Sequence, residues 1–342
     1  MPMTRHWTVE SSGISSLRLA EDKSPRAAGP GEVAIEVHAV SLNYRDLMVA
    51  EGRYGKPLAR PMVPCSDAAG IVTEVGAGVR GLEVGDRVLT HPFHAWPAGP
   101  LRREHVAGFV GGGGVDGVLR ERLVYPAGAL VRVPAHLDFA EASTMTIAGL
   151  TAWAGLVSFG RTRPGEWVLV HGTGGVSVYG LQLAKAMGAR AIVTTSSPAK
   201  GAICRERLGA DAVVDWRDPE WPARVMQATG DHGADVILDT AGGHTLARSL
   251  DAAAFGARVA VIGILEANDS NMSVVRILAR QLRIGGIYME SRAELEALAN
   301  AMEACAIHPV IDRVFPFEKA PEAYAHLQSG AHLGKVVIAV RG

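Results

Sequence analysis

Val168-Leu169-Val170-His171-Gly172-Thr173-Gly174-Gly175-Val176-Ser177-Val178-Tyr179-Gly180, continued by Leu181-Gln182-Leu183-Ala184-Lys185, is the stretch on which the reading of this chain turns. An apolar run reads as a buried parallel strand, a glycine turn follows at once, and an apolar-periodic helix follows the turn. That order is the mechanical requirement for holding a dinucleotide pyrophosphate. Glycines let the backbone approach the phosphates, and the helix N-terminus offers free N–H groups and a favourable dipole. The third glycine place holds Ser177, small enough to keep strand and helix close.

Working outward, further apolar strands follow at Ala191–Thr195, Ala212–Asp215, Asp235–Asp239 and Arg258–Gly263, each separated from the next by a helical or loop segment. Strands alternating with helices predict an α/β fold with a doubly wound parallel sheet. Val274–Leu282 and Ala293–Ala306 read as helices, and Gly334–Val340 reads as a strand that returns to the first domain. The first ~125 residues differ in texture. Val33–Val40, Gly70–Gly76 and Asp86–Leu89 are short strands punctuated by Gly and Pro, which predicts a small β-rich, barrel-like domain. The boundaries expected are 1–127, 128–306 and a C-terminal return at 307–342.

Composition narrows the function classes. The chain has 342 residues, a length suited to about two domains. Its formal net charge is -1, and no basic run is long enough for a nucleic-acid surface. No uninterrupted apolar run reaches the ~18 residues of a membrane span, and Met1–Glu10 lacks the apolar core of a signal peptide, so a cytoplasmic location is expected. Cys65, Cys204 and Cys305 are odd in number and far apart, which implies neither a disulfide framework nor a cysteine-rich zinc lobe. Thr90–Gly117, rich in Gly, Pro, His and Arg, holds His91, His94, Trp96 and His105. It reads as a long, mobile or functional connection that shapes a substrate pocket or interface, ahead of a metal site.

Ser41-Leu42-Asn43-Tyr44-Arg45-Asp46, Pro64-Cys65-Ser66-Asp67-Ala68-Ala69-Gly70, Val84-Gly85-Asp86-Arg87-Val88, Ala148-Gly149-Leu150-Thr151-Ala152-Trp153, the glycine turn and Gly334-Lys335-Val336-Val337 occur in the order found in the medium-chain dehydrogenase/reductase superfamily. The chain resembles its zinc-free, quinone-oxidoreductase-like branch over nearly its whole length. That resemblance implies an N-terminal GroES-like β-barrel domain, a Rossmann domain, an active site in the cleft between them, and a homodimer formed through a nucleotide-domain sheet edge. Zinc-dependent relatives place a cysteine where this chain has Asn43 and a Gly-His-Glu element at Cys65-Ser66-Asp67. A further cysteine of theirs has no counterpart between Ser143 and Gly149. Catalytic zinc needs about three protein ligands, so none is expected here.

Without zinc, hydride delivery to an activated C=C bond or quinone is the expected chemistry, because the substrate's own carbonyl takes the developing charge. The resemblance makes Tyr44, Tyr54 and Asn43 the catalytic candidates, with Asn43 beside the nicotinamide ribose and Thr151 near the nicotinamide. Gly172, Thr173, Gly174, Gly175 and Val176 are expected at the pyrophosphate, and Gly263, Ile264, Leu265 and Lys335 complete the cofactor set. Asp46 and Asp67 read as structural acceptors. The second strand ends in Thr195-Ser196-Ser197-Pro198-Ala199-Lys200 with no carboxylate to bind ribose hydroxyls. Ser196, Ser197 and Lys200 suit a 2′-phosphate, so NADPH is expected over NADH. Trp216-Arg217 is a further candidate to flank the adenine or phosphate. The substrate is expected to be a small enone, quinone or carbonyl compound. A zinc-free alcohol dehydrogenase or carbonyl reductase and a low-turnover NADPH-binding protein are the alternatives.

Overall fold

The computed structural model describes residues 3–54, 61–112, 114–266 and 271–341. They form two compact units, Met1–Ala148 with Glu290–Gly342, and Gly149–Met289.

The first unit opens with an antiparallel hairpin, β1 (Thr4–Val9) and β2 (Leu17–Asp22), followed by the long strand β3 (Glu32–Leu42). Helix α1 (Tyr44–Ala50) leaves β3 directly, and the Asp46 carboxylate accepts the Asn43 N–H at 2.8 Å to cap its start. Then come β4 (Asp67–Val75), β5 (Arg87–Thr90), the short α2 (Arg103–Val106), β6 (Arg122–Pro126), β7 (Leu130–Arg132) and α3 (Phe139–Ser143). β3 alternates half-buried Glu36 and His38 with buried Val33, Ile35, Val37 and Val40, so one face feeds the core that also takes Leu47, Val72 and Val88.

The second unit begins with α4 (Leu150–Trp153). It continues with β8 (Trp167–His171), α5 (Gly175–Ala186), β9 (Arg190–Thr194), α6 (Pro198–Glu206) and β10 (Ala212–Val214). After α7 (Trp221–Ala228) come β11 (Ala234–Asp239), α8 (Gly243–Ser249), β12 (Ala253–Val261), α9 (Val274–Ala279) and β13 (Arg283–Gly286). The six strands are parallel in the order β10-β9-β8-β11-β12-β13. Strand order reverses on either side of β8, which puts the turn after β8 at the switch point where doubly wound sheets bind ligands. Every residue of β8 is buried, as a strand covered on both faces demands. Gly180, one turn beyond Ser177, lets α5 approach the sheet closely, since a Cβ there would stand 2.6 Å from Leu238. The tight helix–strand packing expected of the third glycine place is thus supplied at Gly180.

The chain then re-enters the first unit with α10 (Arg292–Ala304), β14 (Ile311–Pro316), α11 (Ala320–Gln328) and β15 (Lys335–Ala339). The larger sheet runs β14-β15-β3-β4-β5-β7, with β6 also on β3. The divisions at 148/149 and 289/290 differ from the 127/128 and 306/307 expected from sequence. β7 pairs with β5, and α10 packs on β7, so residues on both sides of those expected boundaries belong to the first unit.

The described part of Thr90–Gly117, expected to be either mobile or functional, is packed. His91 is fully buried; its Nδ1 accepts the Phe93 N–H, and Nε2 meets the Glu290 carbonyl at 2.8 Å. Phe93 and Phe109 stack at 4.7 Å, Trp96 stacks on His105 at 5.8 Å, and Trp96 Nε1 donates to Gly99 O. The backbone N–H of Arg292 closes onto the Trp96 carbonyl. An aromatic cluster therefore anchors the described part of this segment; Gly113 lies outside the described residues.

Candidate active site

In the second unit the turn after β8 carries Gly172 at φ +74°, and Gly174 is the residue before α5. No atom lies within 4 Å of where a side chain would begin at either glycine, so the backbone is open for a ligand's close approach. No side chain caps the first turn of the 12-residue α5, which leaves the N–H groups around Gly175 and Val176 for an anion. Ser177 donates its hydroxyl to the His171 carbonyl at 2.6 Å, and Thr173 is buried beside it. These residues fit a dinucleotide pyrophosphate.

The other expected cofactor residues of this unit fall at the carboxyl ends of its strands or on α4. Thr151 is buried on α4. Gly263 follows β12, where any side chain would overlap the Thr240 carbonyl, and leads into the exposed pair Ile264 and Leu265. Ser196 lies between β9 and α6. Ser197 is the N-cap of α6, its Oγ accepting the Lys200 N–H at 3.4 Å, which leaves its own hydroxyl proton for a ligand. Trp216 is half exposed, and the Arg217 guanidinium is taken up by Asp215 at 2.7 Å.

In the first unit a buried polar cluster joins Asn43, Asp67 and Lys335. Lys335 Nζ donates to the Leu42 carbonyl and to Asn43 Oδ1, both at 2.7 Å, and stands 3.7 Å from Asp67 Oδ2. Asn43 Nδ2 donates to Asp67 Oδ2 at 2.8 Å, and Ser41 donates to the same oxygen at 3.0 Å. The amide of Asn43 is therefore held in one orientation, between Lys335, Asp67 and the neighbouring Asp46 carboxyl. Lys335 is 3% exposed, so it stands behind Asn43 as its support. Burial pushes the Asp67 carboxyl up to about 6, against the pull of Lys335 and Asn43, and burial likewise lowers the Lys335 ammonium. Asp67 was expected to be a structural acceptor only, and its pairing with Lys335 follows from β15 lying beside β3. No local sequence signal could reveal that register.

Arg45 lies over the rings of Tyr54 at 4.9 Å and Phe109 at 4.4 Å, and donates to Ser66 Oγ at 2.6 Å and to the Gly111 carbonyl at 2.8 Å. Tyr54 is thus held by a buried cation, whereas Tyr44 is 40% exposed and hydrogen-bonds Arg53. Cys65 adopts φ +69° with its Sγ 3.2 Å from Tyr324 Oη, and burial keeps it a thiol.

This donor set does not fit a catalytic zinc. Among the described residues no three His, Cys, Asp or Glu side chains converge. The Asn43 amide is committed to Lys335 and Asp67, the Cys65 sulfur faces Tyr324, and a guanidinium already occupies Ser66.

Comparison with known proteins identifies the two domains. Residues 29–135 match the alcohol dehydrogenase GroES-like domain, and residues 175–304 match the domain described as zinc-binding dehydrogenase. A zinc-type alcohol dehydrogenase-like protein of Schizosaccharomyces pombe is 38% identical over 340 residues, spanning 97% of both chains. The chain belongs to the medium-chain dehydrogenase/reductase superfamily. A quinone oxidoreductase of Rattus norvegicus is 29% identical over 338 residues, 96% of this chain and 95% of its own. A solved Sinorhizobium meliloti 1021 protein assigned to the alcohol dehydrogenases superposes with a TM-score of 0.91 at 42% identity, covering 98% of each chain. This superfamily member is an NAD(P)H-dependent oxidoreductase with a GroES-like domain and a Rossmann domain. No helix among its described residues is long and apolar enough to cross a membrane.

Asp67 carries a pH signature. Its folded pKa lies above the ordinary carboxylate value, so its contribution to stability is complete below about pH 4 and is lost as pH rises through about 6. Asp67→Asn removes that loss. The urea midpoint of the variant, measured from pH 4.5 to 7.5, falls less with rising pH than that of the wild type; parallel curves contradict the assignment.

Proposed function

We propose that this chain is a zinc-independent, NADPH-dependent reductase of activated C=C bonds or quinones. The observation that carries the proposal is the cluster around Asn43. Hydrogen-bond donors and cations engage Asn43, Ser66 and Asp67, the positions at which the resemblance to zinc-dependent relatives implies ligands. A bound nicotinamide supplies the hydride. An enone or quinone leaves its developing negative charge on its own oxygen, and a hydrogen-bond donor near it is enough to stabilise it. The hydroxyls of Tyr44 and Tyr54 are the candidate proton donors. The first unit's part is then to present these donors on a rigid, buried base.

NADPH preference rests on Ser196, Ser197 and Lys200 following β9 with no carboxylate among them. The hydroxyl proton of Ser197 and the charge of Lys200, at the start of α6, suit a 2′-phosphate. A second reading, reduction of a saturated carbonyl, is favoured by the name of the S. pombe relative.

The second unit also offers a surface for a second copy of this chain. Among the described residues β13 is the outer strand of the sheet, paired with β12 on one side only. Nearby in sequence, α9 exposes Val274, Val275 and Leu278, each more than 70% accessible. An open strand edge accompanied by an apolar helix face is a ready template for edge-to-edge pairing.

Three measurements test these proposals. Oxidation of NADPH is followed with a quinone, an enone and a saturated ketone, with and without a chelator. Enone or quinone turnover that ignores the chelator is expected; turnover of the ketone alone moves the assignment to the second reading, and chelator sensitivity overturns the zinc-free reading. Lys200→Ala raises the KM for NADPH about tenfold or more, the worth of a charge-assisted hydrogen bond, and leaves that for NADH nearly unchanged. Equal effects on both cofactors contradict the specificity proposal. Light scattering gives a dimer for the wild type and a monomer for Val275→Glu/Leu278→Glu; a monomeric wild type contradicts the edge-to-edge assembly.

A further inference from the structure

The second unit buries a chain of four polar side chains beside the carboxyl ends of its strands. Thr194 at the end of β9, His171 at the end of β8, Ser249 on α8 and Asp239 at the end of β11 are all 5% exposed or less. His171 Nδ1 lies 3.2 Å from Thr194 Oγ1, and Nε2 lies 2.9 Å from Ser249 Oγ. Ser249 Oγ in turn lies 2.9 Å from Asp239 Oδ2. The other oxygen of Asp239 accepts the N–H groups of Gly242 at 2.8 Å and Ala241 at 3.2 Å.

The chain has one consistent direction. Ser249 has a single proton and two acceptors in reach, Asp239 Oδ2 and the Thr245 carbonyl. The carboxylate is the stronger acceptor and takes it. Ser249 then accepts from His171 Nε2–H, which leaves Nδ1 to accept from the Thr194 hydroxyl. Thr194 Oγ1 accepts in its turn from the Gly172 N–H at 3.3 Å, a donor shared with the Thr194 carbonyl. Such a run of donors polarises each bond along its length. It requires a neutral imidazole, and burial lowers the His171 pKa against the opposing charges of Asp239 and Glu266. Trp221 of α7 packs edge-on to the ring at 5.2 Å.

A hydrolytic triad is excluded by connectivity. A nucleophilic triad puts the imidazole between hydroxyl and carboxylate. Here the hydroxyl stands between imidazole and carboxylate, and Ser249 is fully buried.

The backbone shows what the chain holds. The His171 carbonyl accepts Ser177 Oγ at 2.6 Å and Thr240 Oγ1 at 3.0 Å, while the N–H of the same peptide, on Gly172, is held by Thr194. The peptide that enters the glycine turn is thus fixed from both sides, by β9, β11's end and α5. We infer that the Thr194–His171–Ser249–Asp239 chain sets the geometry of the dinucleotide turn, with His171 as a positioning residue for cofactor binding. This rests on the reading of that turn as the pyrophosphate site. His171 touches no cofactor atom in this role; it acts through the peptide it shares with Gly172.

The test uses the full-length protein and the variants Thr194→Val, Ser249→Ala, their combination, Thr194→Ser and Val225→Ala. Val225 lies in the same unit's core but outside the chain, so its truncation reports what lost packing alone does. NADPH affinity is measured by equilibrium fluorescence titration, and amide hydrogen exchange at residues 172–176 is measured in the unliganded protein. Thr194→Val and Ser249→Ala each weaken NADPH binding about three- to tenfold while kcat stays within about twofold, and both speed exchange at the turn. Because both act through His171, the double variant is little worse than the worse single one. Thr194→Ser restores affinity and protection. Unchanged affinity in both single variants, strictly additive losses, or an equal loss in Val225→Ala at equal stability overturns the inference. If the wild type binds no nicotinamide nucleotide, the pyrophosphate reading itself falls. Exchange at 172–176 then decides for or against the positioning chain by itself.

Discussion

One backbone turn constrains most of the nucleotide unit. β8 is buried on both faces, so the chain can leave it only at its end, and it must turn within a few residues into a helix that packs back on the sheet. Gly172 at φ +74° makes the reversal, and Gly180 lets α5 settle against Leu238. The consequence is a helix N-terminus without a side-chain cap, facing open space at the switch point of a parallel sheet. Unpaired N–H groups in such a place favour an anion, so the same geometry that closes the fold creates the binding site.

The first unit solves a different problem, the burial of charge. Asp67 and Lys335 are both shielded from water, which costs several kcal/mol per ion unless geometry and further hydrogen bonds compensate. Ser41, Asn43 and the Leu42 carbonyl supply those bonds. The arrangement fixes the amide of Asn43 in one orientation. Arg45, stacked on two aromatic rings, adds a second buried cation a short way along the same helix start. Donors held rigidly in a dry setting are the form of catalysis open to a reductase that leaves substrate activation to the substrate's own carbonyl.

The alternation of apolar strands with helices and the glycine turn made the parallel sheet legible from sequence, because both signals are local. The boundaries were less legible. The three residues of β7 and the helix α10 carry no mark that assigns them to the first unit; pairing with β5 and packing on β7 do so. Thr90–Gly117 reads as a mobile or functional connection because its composition is loop-like, and the packing of Phe93, Trp96, His105 and Phe109 on one another has no mark in that composition. Asn43 and Lys335 were singled out by resemblance, and Ser197 and Lys200 by the missing carboxylate after the second strand, but what their side chains hold was not legible. The N-capping use of Ser197 follows from where α6 starts, and the clamp on Asn43 follows from the β3–β15 register. Composition and spacing do not encode either.

The central claim is that hydride passes to carbon of an activated double bond without a metal to polarise the oxygen. It is tested most directly by reducing an enone with NADPH deuterated on the transferring face of the nicotinamide and locating the label in the product by NMR. The account predicts deuterium on the carbon β to the carbonyl of a saturated ketone. Deuterium on the carbinol carbon of an allylic alcohol would contradict it and make the chain a carbonyl reductase.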